Sequence, residues 1–142
     1  MNERSKVRRR LISSQKAAKA HISAIREAAP LEYSFLKQEL KLFILAKFLL
    51  SEDEIGEDEL FDSIVEKSLS HSMKIDPKLV EEFDTAKSCN GVTSAMAKKV
   101  LLFMAIEREL NIQLPALETA RVKTLDDVAR MVYKAMQVED KK

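Results

Sequence analysis

Two Gly and three Pro in 142 residues constrain this chain more than any other feature. Tight β-hairpins draw on Gly, Asn and Pro for their turns, so a strand-rich fold is not expected. The remaining sequence is rich in Leu, Ala, Lys, Glu and Met, which favour helix. The expectation is an all-α protein. Apolar residues make up 46% of the chain, an ordinary share for a globular protein with a core.

Apolar spacing places the helices. Val7, Leu11, Ala18, Ile22, Ile25 and Ala29 recur at steps of three, four or seven and form one stripe on a basic helix. Pro30 interrupts the chain. A second helix is expected over residues 31–50, where Leu36, Leu40, Phe43 and Ile44-Leu45-Ala46 make a face too apolar to stand in water. It must pack on the rest of the chain or on a second copy, so residues 31–50 are also a candidate oligomer contact.

Ser51 with Glu54 has the form of a capping box and opens the next segment. A third helix follows, with Leu60, Ile64, Val65, Leu69 and Met73 on one side and Asp76-Pro77 as its end. Residues 76–93 read as a long connection with an Asn90-Gly91 turn. Thr93 or Ser94 is the N-cap of a helix reaching Leu110. Its run Val100 to Ile106 is apolar all round, as in the middle of a bundle. Asn111 and Pro115 end it. Thr124 with Asp127 is a second capping pair. It opens a last helix with Leu125, Val128, Val132 and Met136 inward. The expected core is Ile64, Leu69, Val100, Phe103, Leu110, Leu114, Val122, Leu125 and Val128.

Charge divides the chain. Residues 1–50 hold eleven Lys/Arg against four Asp/Glu, residues 51–57 hold four acids and no base, and residues 58–137 hold eleven bases against thirteen acids. The expected organisation is a basic helical extension over 1–57, a mildly acidic domain over 58–137 and a frayed tail over 138–142. The basic residues between 4 and 26 lack aromatic neighbours, so they supply only a nonspecific attraction for nucleic acid. A nucleic-acid-binding protein working through this segment is a reading of another class. Residues 1–28 are Arg-rich and poor in acids, as in organelle transit peptides. The expected location is cytoplasmic, with an organelle as the alternative.

The best apolar run, Leu40 to Leu50, is far shorter than the ~20 residues a membrane span needs. The single cysteine, Cys89, allows no internal disulfide and reads as a small buried residue. His21 and His71 have no second ligand at metal spacing, so no metal is expected. Glu107 and Glu109 read as a solvated face. No nucleophile-elbow or phosphate-loop spacing occurs, so the chain is not expected to be an enzyme.

The stretch Glu107 to Val132, ERELNIQLPALETARVKTLDDVARMV, resembles acyl carrier proteins. The matching elements are Glu107, Glu109 and Leu110, then Ile112, Leu114 and Pro115, then Leu117 and Ala120, then Val122, Thr124 and Leu125. Upstream, DELFDSIVEKSLSHSMKIDPKLV is similar to the family's first helix. The resemblance implies a four-helix bundle, to which the two N-terminal helices read from apolar spacing add a helical hairpin. It also implies a serine at the start of the second helix that bears phosphopantetheine, with the chemistry left to cofactor and partner enzymes.

Counting forward places that role on Ser94, in Gly91-Val92-Thr93-Ser94-Ala95. Counting back from Pro115 places it on Met96. Thr93 and Ala95 depart from the family's Gly-x-Asp-Ser-Leu motif, and Lys98 and Lys99 stand where carriers show acids. The reading is therefore a plain N-cap serine and a carrier-related protein without its prosthetic group. Such a protein would dock on partner proteins or biosynthetic enzymes, inside a biosynthetic or peptide-maturation system. A working acyl or peptidyl carrier with phosphopantetheine on Ser94 is the alternative.

Overall fold

The computed structural model describes residues 3–75 and 94–140, with side chains over 9–70 and 95–137. Within them the chain is helical, and no strand occurs among the described residues. The helices are α1 (Glu3–Glu27), α2 (Tyr33–Phe48), α3 (Phe61–Ile75), α4 (Ser94–Leu110), α5 (Ala116–Arg121) and α6 (Leu125–Asp140), with a 3-10 turn at Glu52–Glu54. The expectations for 76–93, among them Cys89 and the Asn90-Gly91 turn, lie outside the described residues, as do the side chains of His71 and Met73.

Helix ends follow local chemistry. Ser51 donates from its backbone N–H to Glu54 Oε1 at 3.1 Å, the reciprocal bond of a capping box. The second capping pair forms in both directions: Asp127 N–H to Thr124 Oγ1 at 3.1 Å and Thr124 N–H to Asp127 Oδ2 at 3.1 Å. Two helices end in Schellman turns. Leu49 (φ 59°) and Asn111 (φ 55°) take the left-handed conformation. The next N–H then closes back, Leu50 to the Leu45 carbonyl at 2.9 Å and Ile112 to the Glu107 carbonyl at 3.1 Å.

The α1–α2 hairpin is part of the core. Ala18, Ile22 and Ile25 of α1 and Leu36, Leu40, Phe43, Ile44, Leu45 and Phe48 of α2 are buried in one cluster with Phe61, Phe103 and Val128. The apolar face of 31–50 is thus covered within the chain. Phe48, Phe61 and Phe103 stack in series, with centroids 6.2 and 5.9 Å apart, and join α2 through α3 to α4. Ser68 is fully buried, and its hydroxyl donates to the Phe48 carbonyl at 2.8 Å, closing the end of α2. At the other end, the Phe61 N–H donates to the Lys123 carbonyl at 2.7 Å and pins the start of α3 to the approach to α6.

Of the expected core, Ile64, Phe103, Leu110, Leu114, Val122 and Val128 are buried, and Leu69 and Leu125 are half-buried against it. Val100 is a correction: it is 52% exposed. Helix α4 does not run through the middle of the bundle but lies with one side to solvent. Leu60 is likewise exposed, and α6 continues through Asp140, past the boundary expected at residue 137.

Candidate functional site

Helix α4 carries the features that bear on function. Both positions that the sequence offers for the attachment role, Ser94 and Met96, fall on this helix.

Lys98 and Lys99 have separate fates. The Lys99 ammonium pairs with Asp62 Oδ1 at 2.7 Å and lies 5.8 Å from the Phe61 ring centroid. Lys98 is half-buried, with its ammonium 5.4 Å from the Phe48 ring centroid. Burial pushes its pKa down from the ordinary lysine value. Glu107 is not merely a solvated group: its Oε2 accepts from the Leu114 N–H at 3.0 Å and braces the turn before Pro115.

The solvent side of α4 is apolar. Met96, Val100, Leu101 and Met104 are each more than half exposed, although Leu102, Phe103 and Ile106 on the other side are buried. Beside this face lies a groove between α2 and α4, lined by Lys47, Phe48, Lys98, Leu101, Met104 and Arg108 together with Leu102 and Ala105. Uniform apolarity concealed this arrangement in the sequence. A helix apolar on all sides has no preferred face until its neighbours choose one.

A second cluster ties the hairpin to the C-terminal helix. The Tyr33 hydroxyl donates to Asp126 Oδ1. Asp126 also meets Lys37 Nζ at 3.1 Å and Arg130 at 2.8 Å. The tyrosine hydroxyl, followed by Lys37, holds the Asp126 carboxyl below its ordinary value. Burial, then the hydrogen bond to Asp126, raises Tyr33. Tyr33 packs edge-on against Tyr133 at 5.5 Å. Nothing in the sequence signals this cluster, because its members lie on helices far apart in the chain.

Elsewhere, His21 Nδ1 and Glu39 Oε2 are 2.6 Å apart across the α1–α2 hairpin. Among the described residues no group of three or more His, Cys, Asp or Glu side chains is gathered for a metal. Nor is any described helix long and apolar enough to cross a membrane. Arg9, Arg10, Lys16, Lys19 and Arg26 are exposed along α1. Compared with protein-family models, curated proteins and solved structures, the chain gives no match.

Proposed function

We propose that this chain is a non-catalytic, acyl-carrier-related protein that works by docking on partner proteins, within a biosynthetic or peptide-maturation system. The observation that carries the docking reading is the exposed apolar face of α4. An apolar patch of this kind on a charged, water-facing protein marks an interaction surface. The carrier relation is supported by the succession of α4, the short α5 and α6. The turn at Pro115, braced by Glu107, supports it further.

Ser94 is proposed to be an unmodified serine of α4. Thr93 and Ala95 replace two residues of the carrier motif, which weakens recognition by a phosphopantetheinyl transferase. The second reading, a working carrier, rests on the forward count that places the attachment role on Ser94, a residue of α4. Intact mass after co-expression with a broad-specificity phosphopantetheinyl transferase separates the two. The expected result is the unmodified mass. A phosphopantetheine adduct that disappears in Ser94→Ala makes the protein a carrier.

A further inference from the structure

We infer that the groove between α2 and α4 receives an acidic amphipathic helix of a partner protein, an assignment that rests on the docking reading and specifies its partner. The groove has an apolar floor and one apolar wall. Phe48, Leu102 and Ala105 are buried or nearly so, and Leu101 and Met104 rise beside them, each more than half exposed. On α4 the groove's lining runs from Lys98 to Arg108, about 15 Å along the helix axis at the α-helical rise. That length accommodates the i, i+3, i+4, i+7 anchors of a docked helix, roughly two turns. Met104, more than half exposed, adds a surface that adapts to the side chains laid on it.

Charge chooses among the possible occupants. Every charged residue that lines the groove is cationic: Lys47, Lys98 and Arg108. Lys47 lies 5.8 Å from the Phe43 ring centroid, and Lys98 lies over Phe48. Arg108 meets Glu109 at 3.6 Å, on an exposed side chain. A second copy of this chain docking by a two-fold contact sets the same patch against itself, cation facing cation. A basic partner helix meets the same repulsion. A helix with acids flanking its apolar stripe meets complementary charge along the whole groove.

The test uses the full chain and a displayed library of amphipathic helices about 18 residues long. Each peptide has a fixed Leu stripe and flanking positions randomised among Glu, Gln and Lys. The expected result is enrichment of Glu at the flanks. A selected peptide should then lose about tenfold or more in affinity when Lys47 and Arg108 are both changed to Glu. Binding should also fall in Leu101→Ser/Met104→Ser, whose exposed substitutions leave the melting transition in place. The inference is overturned by selection of Lys or Gln flanks, by selection of no binder, or by binding unchanged in Leu101→Ser/Met104→Ser. A dimer in sedimentation that is lost in Leu101→Ser/Met104→Ser also overturns it, because the occupant is then a second copy. A phosphopantetheine adduct on Ser94 revises the proposed function and leaves the groove's charge preference standing. Loss of that preference removes this inference and leaves the carrier relation untouched.

Discussion

The Tyr33 hydroxyl donates to the carboxylate of Asp126, so the first residue of α2 is bonded to the second residue of α6 across 93 positions of chain. Tyr33→Phe removes the donor and leaves the ring against Tyr133. The expected loss is about 1 kcal/mol, the typical net worth of one hydrogen bond. The pH dependence has two edges. Asp126 is lowered from 3.8, so its contribution is present above that value and is lost as pH falls through the folded-state value. Tyr33 is raised from 10.0, so its contribution is present below that value and is lost as pH rises through the folded-state value. Urea melts of wild type and Tyr33→Phe should differ at neutral pH and converge toward both extremes. A constant difference at all pH values contradicts the ionic part of this account.

Glu59 acts as a clasp before α3. Its carboxylate accepts from Lys67 Nζ at 2.7 Å, from the Gly56 N–H at 2.9 Å and from the Ser63 hydroxyl at 2.8 Å. The Lys67 bond first, then the Gly56 N–H, lowers its pKa from 4.5 to about 2. A lowered carboxyl contributes stability above its unfolded value and loses it on acidification. Glu59→Gln should therefore cost about 1 kcal/mol at neutral pH, with the screening of a surface pair included. The difference should shrink between pH 4.5 and about 2, as read by denaturant midpoints across that range.

Two residues one turn apart on α4 should respond very differently to truncation. Phe103 is 6% exposed and stacks on Phe61, so Phe103→Ala should cost about 3–5 kcal/mol. Val100 is 52% exposed, and Val100→Ala should stay within about 0.5 kcal/mol of wild type. Equal costs in thermal or urea unfolding contradict the orientation of α4.

Asn111 closes α4 in the left-handed conformation, which tests the Schellman turn directly. Asn111→Ala should destabilise by about 1 kcal/mol, because a Cβ without a short polar side chain tolerates that backbone poorly. Asn111→Gly should be neutral or stabilising, because glycine enters this region without steric cost. The two variants need only equilibrium unfolding at one pH.

Local chemistry is legible in the amino-acid sequence itself. Ser51 with Glu54 and Thr124 with Asp127 close their caps within three residues, so short-range hydrogen bonding alone decides them. Asn111 and Pro115 end α4, and six of the nine expected core residues are buried, for the same reason: helical spacing fixes which residues share a face. Spacing says nothing about which of two apolar faces is covered. On α4, packing against Phe61 took Phe103 inward and left Val100, Leu101 and Met104 to solvent.

The destination of the hairpin was a tertiary decision too. The apolar face of α2 required a cover, and its own chain supplied it through Phe61, Ile64 and Val128. The groove and its three cations exist only because α2 ends beside α4. The sequence determined the helices and their caps through contacts a few residues apart. The tertiary structure decided their exposed faces, because burial is a property of the neighbours that assemble around a side chain.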